Sequence, residues 1–307
     1  MKNIDYDLVI IGGGPAGLTA GIYAKRAGLS TLLLEKHTPG GQIMITDWIE
    51  NYPGFPEGLA GYDLTMKMEQ QAKHFGLEII QADVKGIKAS DETKEIILPD
   101  KTIISKAIII ASGCSPRKLG IPGENIFFGK GVSTCATCDG MFFRDKEVVA
   151  IGGGDTAVQE AIFLTKFASR VYLVHRRDQL RATKILQDRV FANEKIEIIW
   201  DSVATEINGD KEVQSVTIKN VKTEEEKTIA ADGCFIWVGT IPNTEFISPD
   251  IKTDKGGFII TDSLMNTSVK GIFAAGDVRN TPLRQVSTAV GDAAIAAVSA
   301  DKYIESL

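Results

Sequence analysis

Cysteine is scarce in this chain. Cys114, Cys135, Cys138 and Cys234 are the only four among 307 residues, far too few for a disulfide scaffold. Histidine is scarcer still. His37, His74 and His175 are scattered, and no second cysteine pair joins Cys135 and Cys138, so the ligand set of a structural zinc site is incomplete and no metal is expected. No apolar run approaches the roughly 18 residues that a spanning helix needs, so no membrane partner is expected. There is no basic excess: 34 Lys and Arg stand against 40 Asp and Glu, for a net charge of -6. An acidic surface without a basic tract holds a phosphate backbone poorly, which argues against nucleic acid. The layout of a signal peptide is missing as well. Asp5 and Asp7 interrupt Met1–Asp7 before a short apolar run that ends in glycines, and the default location is the cytoplasm.

What is present is a globular composition, 44% hydrophobic and 24% charged, long enough for two domains. Residues 7–11 form a continuous apolar run, the pattern of a parallel strand buried on both faces. The turn Gly12-Gly13-Gly14-Pro15-Ala16-Gly17 follows at once, then a helix from Pro15 through Arg26 and a second strand that ends in Glu35. Each part has a physical task. Gly12 permits the tight turn, Gly14 lets the backbone approach a pyrophosphate, and Gly17 lets helix and strand pack closely. The helix N-terminus supplies donors for negative charge. Glu35, 23 residues after Gly12, can accept hydrogen bonds from an adenosine ribose. The stretch predicts dinucleotide binding.

A long irregular segment, 36–60, then carries Gly41, Gln42 and a turn-rich aromatic run through Asn51. Composition does not decide whether its aromatics line a flat cofactor or anchor the loop. A helix is expected over 61–75, short alternating strands over 84–104, and a buried strand at 107–111. The pattern of the opening then recurs. Residues 147–151 form an apolar run into Gly152-Gly153-Gly154-Asp155-Thr156-Ala157, a helix is expected from about 156 to 167, and the next strand ends at Val174. His175 stands 23 residues after Gly152, the spacing that Glu35 has from Gly12. An acid would repel a ribose 2′-phosphate there. Arg176, Arg177 and Arg181, with His175, would bind it, because guanidinium forks match phosphate geometry. Strand-like pieces fill 196–230, a buried strand covers 234–238, and a strand at 271–277 precedes an alanine-rich helix from about 283 to 307. The last 60 residues are too few for a core of their own and are expected to complete the first domain.

The dithiol lies between the two loops. Cys135-Ala136-Thr137-Cys138-Asp139-Gly140 ends 12 residues before Gly152. Its polar neighbours Thr134 and Asp139 suit a buried structural pair poorly. A redox pair fits the spacing, with one thiolate to attack and another to resolve, and Asp139 adjacent to move a proton.

Taken together, Cys135 to Gly140, His175-Arg176-Arg177 with Arg181, and Gly271 to Asp277 followed by Arg284-Gln285 resemble the low-molecular-weight, bacterial-type thioredoxin reductases, a class of pyridine nucleotide-disulfide oxidoreductases, over essentially the whole chain. The resemblance implies an α/β fold of two Rossmann-like nucleotide-binding domains, the second inserted into the first. Residues 1–113 and 246–307 would hold FAD, through Gly12, Gly14, Pro15, Ala16, Gly17, Glu35, Gly41, Gln42, Asn51, Asp277, Arg284 and Gln285. Residues 117–240 would hold NADPH, through Gly152, Gly154, Asp155, Thr156, Ala157, His175, Arg176, Arg177 and Arg181, with connectors at 113–117 and 240–246. Electrons would pass from NADPH through FAD to Cys135 and Cys138 and on to the disulfide of thioredoxin or a similar small protein. Cys138 would lie next to the flavin, Cys135 would attack the partner, and Asp139 would supply the proton. A homodimer is implied. Because the dithiol must meet both the flavin and an outside protein, a rotation of the two domains about the connectors is expected. One departure is Gln159, where members of this group commonly carry Glu.

Overall fold

The computed structural model of the chain describes residues 4–46, 48–90 and 92–307. Met1–Asn3, read above as the approach to the first strand, lie outside the described residues, as do Asp47 and Asp91. The chain divides into two compact units, Met1–Ser115 with Ile241–Leu307, and Pro116–Thr240.

In the first unit, β1 (Tyr6–Ile11) leads through α1 (Pro15–Arg26) to β2 (Thr31–Glu35). α2 (Gly61–His74), β3 (Glu78–Gln81), β4 (Gly86–Ala89), β5 (Lys94–Ile97) and the long β6 (Thr102–Ile110) follow. They build one sheet in the order β3-β2-β1-β6-β5-β4. β1 is parallel to β2 and to the second half of β6, whereas the first half of β6 runs antiparallel to β5. The apolar runs are continuous because both faces are covered. Leu8 and Ile10 of β1 pack with Leu18, Leu64 and Met68 on the helical side, and Val9 and Ile11 pack with Val84, Ile87 and Ile96 on the other. Full burial of each such side chain contributes about 1.5–3 kcal/mol.

The second unit opens at the last residue of β7 (Cys114–Pro116). It contains β8 (Val132–Ser133), α3 (Ala136–Asp139), β9 (Glu147–Gly152), α4 (Asp155–Leu164), β10 (Arg170–Val174), α5 (Lys184–Phe191) and β11 (Ile196–Ile199). An antiparallel layer, β12 (Ser202–Gly209), β13 (Val213–Asn220) and β14 (Glu226–Ala230), precedes β15 (Gly233–Trp237). The main sheet is parallel throughout, in the order β11-β10-β9-β15-β8. β9 repeats the logic of β1. Val148 and Ala150 face Val158, Ala161 and Leu164 of α4, and Val149 and Ile151 face Val216 and Ile218 of the antiparallel layer.

The chain returns through β16 (Thr240–Pro242), which pairs with β7. β17 (Ile272–Ala274) then joins β6 in parallel, and α6 (Val286–Glu305) lies on the first unit. The α/β architecture with two Rossmann-like folds matches the expectation. Two helix boundaries differ and one helix is new. α4 stops at Leu164 rather than Phe167 because the amides of Thr165, Lys166 and Phe167 turn to carbonyls three residues back. α6 starts at Val286 rather than 283 because Gln285 and Thr288 form a reciprocal cap. α5 was not anticipated.

Candidate active site

Cys135 and Cys138 are joined as a disulfide with their Cα atoms 5.4 Å apart. Cys135 stands at the N-terminal end of α3, its sulfur accepting the Cys138 amide at 3.0 Å. Three side chains fix the strand-to-helix turn. The Cys135 amide donates to Ser133 Oγ at 3.0 Å, Trp237 Nε1 donates to the Thr134 carbonyl at 3.0 Å, and the Ala136 amide donates to Glu160 Oε2 at 3.2 Å. Cys138 is exposed and Cys135 half-buried, with Asp139 half-buried beside them. Cys114 and Cys234 are buried thiols outside the disulfide, and burial pushes Cys234 well above the ordinary thiol range, so neither competes for thiol exchange in the folded chain.

The first glycine loop forms as the spacing requires. Gly12 has φ +108°, and a Cβ at Gly17 would land on the Gly12 carbonyl oxygen. α1 has Gly14 as its N-cap residue, with no side-chain cap and no acid in its first turn, so its leading amides are left for an anion. Gly41, brought up by the 3-10 turn Gly41–Ile45, faces Gly14: a Cβ there would stand 3.1 Å from Gly14 Cα. Two bare backbones facing each other make a cradle that side chains would fill. Glu35 takes the Gly13 amide at 2.6 Å on one oxygen and the His37 amide at 2.9 Å on the other, and each oxygen keeps a lone pair for a ribose hydroxyl. The donor set fits a dinucleotide.

The same unit gathers the other residues expected around it. Ala16 Cβ lies 3.0 Å from where a Cβ of Gly276 would stand. Gln42 Nε2 donates to the Cys114 carbonyl, and Asn51 Nδ2 donates to Gln285 Oε1 at 3.0 Å. Arg284 lies over the Phe258 ring at 4.0 Å. Burial raises the Asp277 carboxyl above the usual carboxylate range, against the pull of Arg284 and of the Cys114 thiol at 3.8 Å.

In the second unit, α4 has Gly154 as its N-cap residue without a side-chain cap, and a Cβ on Gly154 would meet nothing within 4 Å, so the loop is open on that side. Asp155 Oδ1 takes the Thr183 amide at 2.6 Å, and the Arg181 amide donates to the Gly153 carbonyl at 2.7 Å, which ties the arginine segment to the loop. Thr156 is exposed and Ala157 buried, and Arg176, Arg177 and Arg181 are all exposed. His175 differs. It is 4% exposed, Nε2 donates to the Gln179 carbonyl at 3.0 Å, and desolvation holds the ring below the ordinary histidine range. Its ring fills the space where a side chain on Gly153 would go.

The family model of the pyridine nucleotide-disulphide oxidoreductases matches residues 6–293. The chain belongs to this family. Among curated relatives, the thioredoxin reductase of Listeria innocua is 49% identical over 304 residues, covering 98% of this chain and 95% of the relative. That of Bacillus subtilis is 47% identical over 303 residues, covering 98% and 96%. Among solved structures, Lactococcus lactis thioredoxin reductase superposes with a TM-score of 0.97 at 52% identity, covering 99% of this chain and all of that one, a 100% share. The enzyme from T. acidophilum gives 0.93 at 37%, covering 98% and 99%. The resemblance drawn from the motifs therefore holds over the whole chain.

Within the family frame, sequence reasoning missed Ser133, Trp237 and Glu160. Ser133 is two residues from Cys135 and was in plain view as a turn hydroxyl. Trp237 and Glu160 reach the dithiol from 103 and 24 residues away, and no local pattern points to them.

Proposed function

We propose that this chain is an NADPH-dependent thioredoxin-disulfide reductase in which the first unit holds FAD and the second holds NADPH. The observation that carries the reading is the Cys135–Cys138 disulfide, exposed at Cys138 and seated against the helix of a nucleotide loop. When bound, the two nucleotides supply hydride donation and two-electron storage. The chain supplies the rest. Gly12, Gly14, Gly17, Gly41 and the start of α1 take the FAD pyrophosphate, with Pro15 and Ala16 shaping the helix start and Glu35 taking the ribose. Gln42, Asn51, Asp277, Arg284 and Gln285 surround the rest of that cofactor. Gly152, Gly154, Asp155, Thr156 and Ala157 form the second cradle. Arg176, Arg177 and Arg181 take the 2′-phosphate, and His175 holds the loop that presents them.

In the reduced enzyme, the Cys135 thiolate attacks the thioredoxin disulfide and one thioredoxin sulfur leaves as thiolate. Cys138 then attacks the Cys135 sulfur of the mixed disulfide. The Cys135–Cys138 bond re-forms, and thioredoxin leaves as the dithiol. Asp139 moves the proton that this exchange requires. Met141 and Phe142, 60% and 67% exposed and directly after the dithiol turn, give the partner an apolar landing. The working form is a cytoplasmic homodimer, and the two units rotate about the crossings at 115–116 and 240–241 between half-reactions.

The test is anaerobic stopped-flow absorbance of FAD-loaded protein, mixed with NADPH or NADH and then with oxidised thioredoxin. The flavin band bleaches rapidly with NADPH and recovers on adding thioredoxin. Bleaching without recovery would move the search to another disulfide partner, and no bleaching by either nucleotide would sink the assignment of the second unit.

A further inference from the structure

We propose that Glu160 is a positioning residue for the dithiol, one that keeps it a strong reductant. This rests on the thiol-exchange reading above. The first amide of α3 follows Cys135 directly in the chain. In this structure that donor, the Ala136 N–H, is held by Glu160 Oε2 at 3.2 Å. Ala136 is fully buried, so the contact is shielded on the protein side. The Cys135 sulfur meanwhile takes the Cys138 amide at 3.0 Å. Two electron-rich groups therefore share the amides at one short helix start, the carboxylate on the Ala136 amide and the sulfur on the Cys138 amide.

Opening the disulfide takes two electrons and, with one proton taken up, leaves one thiol and one thiolate. The oxidised pair carries no charge and the reduced pair carries one. A fixed negative charge across the Ala136 peptide disfavours only the reduced form. Glu160 thus pushes electrons off the dithiol towards the partner. Its neighbour on α4, Gln159, is exposed, whereas Glu160 is half-buried against the dithiol turn. The charge that matters on this helix sits at 160.

Glu160→Gln keeps an acceptor for the Ala136 amide and removes the charge. Glu160→Ala removes both. The FAD-loaded enzyme and its variants would be equilibrated with a dithiothreitol series, quenched by alkylation, and the oxidised fraction of Cys135–Cys138 read by mass. Glu160→Gln is expected to shift the equilibrium about three- to tenfold towards the reduced pair, or about 15–30 mV. Iodoacetamide should alkylate its reduced dithiol faster by a similar factor, with the thermal midpoint unchanged. A purely structural role would lower the midpoint and leave the potential where it was. An unchanged potential and alkylation rate in folded Glu160→Gln would overturn the proposal. So would rapid hydrogen exchange of the Ala136 amide in the wild type, a measurement that needs no variant. Wild-type turnover with thioredoxin separately tests the reading beneath it, so either can fail alone.

Discussion

Where the strand after each loop's helix ends, β2 in the first unit and β10 in the second, one residue stands against the middle glycine of the loop. In the first unit it is Glu35, beside Gly13, and in the second it is His175, beside Gly153. The backbones place the two residues alike, and the side chains act differently. Glu35 takes the Gly13 amide at 2.6 Å and remains partly in water, ready for a ligand. His175 is buried against Gly153, and desolvation holds its ring below the ordinary histidine range. The positive charge is carried by Arg176, Arg177 and Arg181, which are exposed around it. Matched spacing thus identifies a seat, and burial decides how much of its occupant is left open to solvent.

The strongest way to break the parallel is at the last position of each loop, Gly17 in one and Ala157 in the other. Gly17→Ala drives a methyl onto the Gly12 carbonyl oxygen. It should cost about 3 kcal/mol and release FAD, read as a lowered thermal midpoint and lost flavin absorbance. Ala157→Gly should cost no more than about 1 kcal/mol. Equal effects would refute the close-approach account of Gly17.

Next comes the charge. Replacing Arg176, Arg177 and Arg181 together by Ala should raise the KM for NADPH at least about 100-fold, since even two charged hydrogen bonds at about 1.5 kcal/mol each reach that factor, and should leave the KM for NADH within about threefold. Parallel losses for both nucleotides would remove the 2′-phosphate from the explanation.

Acid should then move the two units in opposite directions. The folded second unit resists protonating His175, whose unfolded value is 6.5, so stability falls as pH drops through that value. Asp277 in the first unit holds its proton to higher pH than its unfolded value of 3.8. The apoprotein's first unit therefore gains stability as pH falls from neutral towards that value. Denaturant titrations across this range, with His175→Gln and Asp277→Asn as controls, should lose each slope in turn, and slopes of the same sign would contradict the burial argument. The smallest effect is expected at Gln159, which is exposed: Gln159→Glu should change the KM for NADPH less than about twofold in steady-state assays.

Much of this was legible in the sequence because it is local. The apolar runs at 7–11 and 147–151, the glycine loops after them and the dithiol announce themselves within a few residues. α5 was not legible. Leu186 and Val190 are buried, but Ile185 and Phe191 are exposed apolar side chains that blur the helical period. The burial of His175 was hidden because a histidine beside three arginines reads as a fourth exposed cation. Gln42 meeting Cys114 across 72 positions, and Glu160 meeting Ala136, are products of the completed fold.

The ends of the inserted segment carry one more consequence. In the second unit, the Arg117 amide bonds the Gly239 carbonyl at 2.8 Å, so the segment closes on itself where it begins and ends. In the first, Asn243 bonds Ser112 and Ser115 and donates its own amide to Gly113, which closes the gap from the other side. Each unit is thus a loop fastened at its own neck. The second is a cassette whose two termini meet at one point, so excising it calls for only a short splice between residues 115 and 241.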